Sequence, residues 1–209
     1  MGHFNDMMKQ FKLSGDDDIR PGPMHFSVIL SALAKRGMAK EAESFFGEVL
    51  AICRAHHESD NEKLEISSSF NNVISSHARS RLPGAAIKAE AWLRRMQDLG
   101  PHEAYIDAKP NVISYTSAMT AWSRVTDHEE KNVAVEKCEE LLQEMLEEAK
   151  TGNRDVMPNQ FTFGTFLRVV ARSNVLDKSD RATQVLQFME HCGMEPDEFV
   201  QSAARECIR

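Results

Sequence analysis

Four basic side chains occur at one position of a recurring pattern and could neutralise the phosphates of a nucleic acid. Each cation lies nine residues after an aromatic residue, and together they are Lys35, Arg79, Arg124 and Arg172. The aromatic residues, in the same order, are Phe26, Phe70, Tyr115 and Phe163. Binding of a nucleic-acid strand requires such cations, together with short polar groups that reach the base edges. The alternative is that each cation complements a helix dipole and extends into water.

Other groups of reactive residues do not form a recognisable catalytic or metal site. His56, His57, Glu58 and Asp60 have metal-binding side chains, but consecutive histidines on a helix point about 100° apart and no histidine follows at the fourth position. We interpret them as a solvated helix end. The three aspartates at 16–18 lack the glycine and terminal glutamate of a calcium loop. The sequence also has no nucleophile elbow, phosphate-binding glycine loop or zinc-protease motif, so we predict no enzymatic activity and no cofactor or metal.

Composition and cysteine usage indicate a soluble, folded chain in a reducing compartment. The 209 residues are 42% hydrophobic and 27% charged, and no apolar run reaches the ~18 residues that a membrane span requires. Cys53, Cys138, Cys192 and Cys207 are widely spaced and form no CxxC pair. They argue against a disulfide scaffold or a zinc module, and we expect buried thiols that pack as small apolar groups. The first residues, MGHFNDMMKQFKL, contain no secretion or transit signal that we can identify.

The cations and their aromatic partners belong to four segments that align in register. The segments cover residues 23–36, 68–81, 112–125 and 160–173, and each has an apolar stretch after its aromatic residue. The aromatic residues are 44, 45 and 48 positions apart. Eight residues after the aromatic comes a small side chain, at Ala34, Ala78, Ser123 and Ala171. Such a period indicates a protein built from repeated units.

A second amphipathic stretch follows each segment, with a small residue and then apolar residues three and four positions later, as on one helical face. The small residues are Ala42, Ala89, Cys138 and Ala182. Turn residues such as Gly37, Pro83–Gly84 and Asp177 separate the two stretches, which predicts hairpins of a helix A and a helix B. One hairpin cannot bury its apolar face alone, so we predict an all-α solenoid of about four stacked hairpins with partial repeats at both ends. The polar stretches between units are expected to be helix ends or loops.

Charge is distributed unevenly between the two kinds of helix. The A segments, at 24–36, 68–81, 112–125 and 160–174, contain seven lysines or arginines and no aspartate or glutamate. The rest of the chain carries the remaining 18 of the 25 basic residues and all 32 acidic ones, and the net charge is -7. We therefore expect a positive A-helix layer on an acidic body. Five acidic residues are expected to form the solvated outer face of the third helix B, rather than a contact for a basic partner: Glu136, Glu140, Glu144, Glu147 and Glu148.

This pattern resembles the pentatricopeptide repeat (PPR) family of RNA-binding proteins. The matching features are the aromatic-polar start and late basic residue of helix A, the methionine of helix B, a following glycine, and a proline-containing junction. They occur here at Met96, Met145, Met189, Gly100, Gly193, Lys109–Pro110–Asn111, Pro158–Asn159 and Pro196–Asp197. The resemblance covers about residues 7–205. It implies a right-handed α-solenoid that binds single-stranded RNA, in the manner of mitochondrial or chloroplast RNA-processing and stability factors.

The resemblance also implies which residues would contact RNA. In PPR proteins the residue after the helix A aromatic and the last residue of the unit select the base, which gives the pairs Ser27/Ile66, Asn71/Asn111, Thr116/Asn159 and Gly164/Asp197. Asn71 with Asn111 is similar to a cytosine-favouring pair, and Thr116 with Asn159 to an adenine-favouring pair. Ile66 cannot form side-chain hydrogen bonds and Gly164 has no side chain. The implied base contacts are Ser27, Asn71, Asn111, Thr116 and Asn159, and the implied backbone contacts are Lys35, Arg79, Arg124 and Arg172.

The family also places an aliphatic residue against the base, two positions before the helix A aromatic. The corresponding residues here are Met24, Ser68, Ile113 and Phe161. Three of them offer a surface for a base, and Ser68 does not. For Ile113 and Phe161 the alternative is packing between helices.

We divide the chain into a partial repeat and linker at 1–23, a repeat array at 24–197 and a capping helix or cut repeat at 198–209. The units of the array would cover residues 24–66, 67–111, 112–159 and 160–197, which departs from the shorter period usual in the PPR family. The expected partner is single-stranded RNA, and no membrane contact is expected. The alternative is a protein-binding adaptor of the tetratricopeptide type. It is supported by the acidic net charge, by the insertions that lengthen the repeat, and by the two incomplete base-selecting pairs, Ser27/Ile66 and Gly164/Asp197.

Overall fold

The computed structural model describes residues 22–55, 64–102 and 106–208, and this part of the chain folds into nine α-helices. They are α1 (Pro23–Lys35), α2 (Ala39–Ala55), α3 (Ser67–Arg79), α4 (Ala85–His102), α5 (Val112–Trp122), α6 (His128–Lys150), α7 (Gln160–Arg172), α8 (Lys178–His191) and α9 (Glu198–Ile208). Two short strands, β1 (Leu64–Glu65) and β2 (Ile106–Asp107), and a 3₁₀ turn at Arg154–Val156 are the other regular elements described. Helices α1, α3, α5, α7 and α9 are called A helices below, and α2, α4, α6 and α8 are called B helices.

The A helices form one layer, in which each helix packs against the next along the chain. Each B helix packs against the A helix before it and the A helix after it, so that α2 contacts α1 and α3, and α8 contacts α7 and α9. The result is a two-layer solenoid of four hairpins followed by a fifth A helix, which confirms the predicted all-α repeat fold. Since neighbouring A helices are in contact, residues at equal positions of successive A helices form rows across the layer.

The first turn between an A helix and a B helix depends on Gly37. Its φ of 65° lies in the left-handed region, which glycine adopts without strain. A Cβ atom at this position would lie 2.8 Å from the carbonyl oxygen of Arg79, at the end of α3. The absence of a side chain therefore allows the turn of the first hairpin to lie directly against the A helix of the second.

The four aromatic residues of the repeated pattern lie in the core, where Phe26, Phe70, Tyr115 and Phe163 are each 2% exposed or less. Phe70 shows how they join two units. Its ring makes edge contacts with Phe46 of α2, at 4.7 Å between ring centroids, and with Trp92 of α4, at 6.0 Å. Helix α3 is thus anchored to the B helix of the preceding hairpin and to the B helix of its own.

Ionic contacts connect the B helices of the later units. Arg94 of α4 donates to both carboxylate oxygens of Glu144 in α6, at 2.5 and 2.7 Å. Arg181 of α8 donates to Glu139 of α6 at 2.6 Å. These side chains are partly exposed, so the B helices of the second, third and fourth hairpins are linked at the surface of the solenoid.

The acidic side of α6 is only partly solvated. The hydroxyl of Tyr115 donates to Oε1 of Glu148 at 2.5 Å and accepts from Nε2 of Gln97 at 2.8 Å. The prediction of a solvated acidic face is therefore wrong for Glu144 and Glu148, which are half-buried because Arg94 and Tyr115 pack against them. The other three residues of that set, Glu136, Glu140 and Glu147, are exposed.

The segments between the first three units form a structure that differs from the predicted loops and helix ends. Strands β1 and β2 pair in parallel, with Leu64 opposite Ile106 and Glu65 opposite Asp107. The backbone N–H of Ile66 donates to the carbonyl oxygen of Asp107 at 3.0 Å, and the Ile66 side chain is fully buried. Strand β1 ends two positions before α3 begins and β2 ends five positions before α5 begins, so their pairing joins the segments that lead into these two A helices.

Several sequence candidates lie outside the described residues. They are the aspartates at 16–18 and the group His56, His57, Glu58 and Asp60, and the side chain of Cys53 is also not described. Cys138 and Cys207 are buried, as expected. The expectation is wrong for Cys192, which lies at the exposed end of α8.

Burial of His77 makes the stability of the fold depend on pH. Its Nε2 atom lies 3.0 Å from Oε1 of Glu43. Burial lowers the pKa of His77 below its ordinary value of 6.5, and the nearby Glu43 carboxylate offsets only part of this effect. The Glu43 carboxyl titrates at lower pH: burial raises its pKa, but hydrogen bonds from Trp92 and Lys88 outweigh burial and leave the pKa below 4.5.

Below about pH 6.5 the unfolded chain consequently binds more protons than the folded chain, and acidification lowers the free energy of unfolding by at most ~1.4 kcal/mol per pH unit for this one group. Urea unfolding at about pH 7.5 and about pH 5.5 measures the loss. His77→Gln should reduce the loss, whereas His191→Gln, at an exposed position, should leave it as in the unaltered protein. An equal loss in all three proteins contradicts the assignment to His77.

Candidate nucleic-acid interface

Each of the first four A helices has one exposed face. In α3 it consists of Ser68, Asn72, Ser75 and Arg79, which are spaced three or four residues apart. The corresponding residues are Met24, Val28, Ser31 and Lys35 in α1, Ile113, Ser117, Thr120 and Arg124 at α5, and Phe161, Thr165, Arg168 and Arg172 in α7. Of this set only Thr165 is buried. We call the combined surface the A-helix face.

The A-helix face changes in character from one border to the other. At the beginning of α1, α5 and α7 it carries a large apolar side chain, and in its middle it carries mainly small polar side chains. At the end of each helix it carries a cation, so the cations form one border. Eleven residues separate the two borders, which at 1.5 Å per residue is about 16 Å. Because the A segments contain no acidic residue, nothing on these helices neutralises the cation border.

The cation border contains the four basic residues predicted from the sequence. Lys35, Arg79 and Arg172 end α1, α3 and α7, and Arg124 follows the end of α5 by two positions. All four are exposed, and the side chains of Lys35, Arg79 and Arg124 form no hydrogen bond or ion pair with any described residue. Arg172 differs, because its Nη1 donates to the carbonyl oxygen of Ser123, the C-cap of α5, at 2.9 Å. Arg172 thus has the helix-end role considered as the alternative.

A cleft of about 680 Å³ lies beside the cation border, at the A-to-B turns of the second and third hairpins. Arg79, Arg81 and Arg124 line it, and Asp127 and Glu130 belong to its lining as well. Sequence reasoning did not assign Arg81 to the site, because it falls outside the aligned cation position. Its membership of the acid-free A segment was the available signal.

Stacking of the A helices brings Asn71 and Asn111 together. Nδ2 of Asn71 donates to Oδ1 of Asn111 at 3.3 Å, and the hydroxyl of Ser114 donates to Oδ1 of Asn71 at 2.6 Å. Oδ1 of Asn111 also accepts from the backbone N–H of Ser114 at 3.2 Å, which caps the start of α5. The Nδ2 group of Asn111 has no partner among the described residues, so two donors are free for an acceptor on a base edge.

The second predicted pair, Thr116 and Asn159, is joined through Thr162 and not directly. The Thr116 and Thr162 hydroxyls lie 3.1 Å apart, and the Thr162 hydroxyl donates to Oδ1 of Asn159 at 3.1 Å. Thr116 also donates to the carbonyl oxygen of Val112 at 2.6 Å. Asn159 caps the start of α7 and is exposed, whereas Thr116 is buried. Asn159 is therefore the accessible member of this pair.

The two outer pairs have no comparable contact. Ser27 is half-buried, but Ile66 is fully buried and does not reach the surface. At the other end, Oδ1 of Asp197 accepts from the backbone N–H of Val200 at 2.9 Å, at the start of α9. Gly164 is buried beside the ring of Phe199. Only the central two pairs are connected by side-chain hydrogen bonds within the described chain.

The apolar border consists of Met24, Ile113 and Phe161, which are 78%, 57% and 55% exposed. Packing between helices does not account for such exposure at Ile113. Phe161 stacks on Phe199 of α9, with 5.7 Å between ring centroids, and still exposes more than half of its surface. Exposed apolar side chains beside polar groups provide surfaces on which nucleic-acid bases can stack. Ser68 is exposed but offers no such surface.

The first hairpin matches a known repeat family in sequence. A family model described as PPR repeat matches residues 24–51, which cover α1 after its first residue and most of α2. A pentatricopeptide repeat-containing protein of Arabidopsis thaliana is 26% identical over 206 residues, which are 99% of this chain and 30% of that protein. The resemblance to the PPR family is confirmed. The chain spans less than a third of the length of this PPR relative.

Two polar residues of the helical array belong to the candidate site, and the sequence analysis did not identify them. Ser114 and Thr162 occupy the third position of α5 and α7, are fully buried, and hydrogen-bond to the selector pairs. An asparagine followed three residues later by serine or threonine could have revealed them, because this spacing is typical of a helix N-terminus with reciprocal capping. Both hydroxyls lie beneath the predicted base-contacting residues and do not reach the surface.

Within residues 22–55, 64–102 and 106–208, no three His, Cys, Asp or Glu side chains lie close enough to hold a metal ion. Among the helices in these ranges, none combines the length and the apolar character that crossing a membrane requires.

Proposed function

We propose that this protein binds single-stranded RNA through the A-helix face and does not act as an enzyme. PPR proteins are in general RNA-binding adaptors without catalytic activity. The observation that carries the proposal is the order of groups across the face: a mainly polar middle and a cation border recur in register on the first four A helices, and an apolar border precedes them on α1, α5 and α7. Bases that stack, base edges that form hydrogen bonds and charged phosphates are the matching groups of a single strand.

In this proposal the cation border contacts the phosphates. Lys35, Arg79 and Arg124 are exposed and have no partner among the described residues, so they can bind a phosphate without first breaking an ion pair. Arg81 extends the same positive surface into the cleft. Arg172 contributes less, because its guanidinium group already holds the carbonyl end of α5.

The polar pairs contact the base edges. The free Nδ2 group of Asn111 can donate to the ring nitrogen or the carbonyl oxygen of cytosine, while Asn71 orients Asn111 from the neighbouring helix. Asn159 is exposed next to Thr116, and the family pattern assigns this pair to adenine. Ser27 is a weaker addition, because its partner Ile66 is buried.

Fluorescence anisotropy with a pool of single-stranded RNAs at several salt concentrations tests RNA binding. Each phosphate contact adds about 0.7 to the steepness of log K against log salt concentration, so three to four contacts predict a slope between about −2 and −3. Double-stranded RNA of equal length is the control and should bind more weakly, because its base edges are paired. Negligible affinity for the single-stranded pool at low salt contradicts the proposal.

The alternative function, a protein-binding adaptor, would use another surface. A cleft of about 240 Å³ at α6, α7 and α8 is lined by apolar side chains, including Leu142, Leu146, Phe166 and Phe188. A peptide held there by apolar contacts would bind with little dependence on salt. Salt-tolerant peptide binding combined with no affinity for RNA would favour the adaptor.

We further propose a role for the full-length protein in RNA processing or stability in mitochondria or chloroplasts. The support is the resemblance to a family whose members are commonly organellar, together with a relative from a plant. A fluorescent fusion of the full-length protein, imaged with organelle markers, tests the compartment. An exclusively cytosolic signal contradicts this part of the proposal.

A further inference from the structure

The fourth unit differs from the others at the position that follows the helix A aromatic. There Gly164 stands where the second and third units have Asn71 and Thr116. An added Cβ at Gly164 would lie 2.3 Å from both Cδ1 and Cε1 of Phe199 and 3.2 Å from its Cγ. The ring of Phe199 therefore fills the space that a selector side chain would occupy, and only glycine leaves room for it.

Two ring contacts hold Phe199 in this place, and two hydrogen bonds fix the start of its helix. Its ring stacks on Phe161, with 5.7 Å between centroids and 24° between the ring planes. The guanidinium carbon of Arg168 lies 5.6 Å from the centroid of Phe199, within the range of a cation–π contact. The start of α9 is fixed by the hydrogen bond from Val200 N–H to Asp197 and by one from Asp197 N–H to Gln160 at 3.2 Å.

These contacts leave no room for a base in the fourth unit. A base inserted between two rings needs about 7 Å between them, which is twice a van der Waals separation of about 3.5 Å. The rings of Phe161 and Phe199 are closer than this. Gly164 provides no side-chain hydrogen-bonding group, and Oδ1 of Asp197 already accepts from the backbone of α9.

We propose that Phe199 is a built-in occupant of the fourth base position, so that this unit does not discriminate between bases. The inference rests on the proposed RNA-binding function and assigns a specificity-determining role to the pair Gly164 and Phe199. Base selection by the described chain then comes mainly from the two central units, with Ser27 of the first unit as the weaker addition. The fourth unit offers RNA the exposed side of Phe161 for stacking and the cations Arg168 and Arg172, to which we assign phosphate contacts.

Anisotropy titrations with single-stranded RNAs in which one nucleotide is varied at a time test this inference on the whole chain. The unaltered protein should discriminate by about tenfold at the two nucleotides facing the central pairs, and by less than about twofold at the next nucleotide toward α9. The double variant Gly164→Asn/Phe199→Ala opens the position and supplies an amide beside Asp197. It should gain a preference of about fivefold at that nucleotide.

Two single variants control for the loss of a ring. Phe199→Ala opens the position without supplying a polar group and should show no new preference. Phe188→Ala removes an aromatic ring from α8, outside the A-helix face, and should bind RNA as the unaltered protein does. Strong discrimination by the unaltered protein at this nucleotide overturns the inference alone, and so does a folded double variant that binds RNA without a new preference. Absence of RNA binding by the unaltered protein overturns the proposed function and the inference with it.

A second measurement tests the contact itself and needs no RNA. Gly164→Ala should lower the midpoint of urea unfolding in the unaltered protein, because the new methyl group meets the ring of Phe199. The same substitution in the Phe199→Ala background should have little effect. Equal effects in both backgrounds contradict the placement of Phe199 against Gly164.

Discussion

Reversing the charges of Arg79 and Arg124 together is expected to lower the affinity for every single-stranded RNA by about 100-fold. Both guanidinium groups are exposed, have no partner among the described residues, and line the same cleft. A change from cation to anion removes an attraction to phosphate and adds a repulsion, and about 1.4 kcal/mol at each position corresponds to a tenfold loss. Phosphates carry no sequence information, so the loss should be equal for all sequences. Anisotropy titrations of Arg79→Glu/Arg124→Glu against RNAs of different sequence measure it.

A matched control separates the cation border from net charge. Lys150→Glu/Arg205→Glu changes the net charge by the same amount at exposed positions outside the A-helix face and should lower affinity by less than about threefold. Asn71→Thr should have a different effect from the charge reversal: it should alter the base preference at one nucleotide and not lower the affinity for every sequence. A control that binds as weakly as Arg79→Glu/Arg124→Glu, or a loss that depends on sequence, would contradict the role of the border.

The largest expected loss of stability follows from Phe70→Ala. The Phe70 ring is fully buried and contacts aromatic rings on the B helices of two hairpins. Truncation of such a side chain removes its burial and leaves a cavity, which together lower the free energy of unfolding by about 3–5 kcal/mol. Urea denaturation measures the change. Since α3 also carries Asn71 and Arg79, RNA binding should decline under conditions in which this variant begins to unfold.

Leu176→Ala is the control for Phe70→Ala. Leu176 is fully exposed between α7 and α8, so its truncation should change the free energy of unfolding by less than about 0.5 kcal/mol. Comparable losses in the two variants would show that Phe70 does not join the first two hairpins as its contacts indicate.

The helical hairpins could be predicted from the sequence because their core residues recur in two ways. Within a helix they are three or four residues apart, and between units they are 44 to 48 residues apart. Phe70 and Ala78, for example, lie on one buried face of α3, and the same spacing returns in each unit. The cations at the helix ends were equally predictable, because the helix boundaries follow from the same pattern. The repeated spacing of these residues therefore predicts where the helices and the cation border lie.

Contacts between units could not be predicted in this way. The pairing of Leu64 with Ile106 joins segments 42 positions apart that have no period of their own. Glu144 is half-buried only because Arg94 approaches from another helix. At Gly164 the sequence showed a missing side chain, but not that Phe199 fills the resulting space.

The hydrogen bonds among the predicted base-contacting residues could be predicted only in part. The pairing of Asn71 with Asn111 follows from the family pattern, and the structure places their amides 3.3 Å apart. Their support by Ser114, and the indirect link between Thr116 and Asn159, depend on how two A helices stack. Such details require the relative position of the helices, which a one-dimensional pattern does not contain.

The surface links between B helices have a consequence for how the two layers respond to salt. The pairs Arg94–Glu144 and Arg181–Glu139 are partly exposed, and pairs of this kind contribute only about 0–1 kcal/mol each. Buried apolar contacts resist separation of the A helices far more strongly. A rise in ionic strength should therefore weaken these links between B helices while it leaves the apolar packing of the A helices in place.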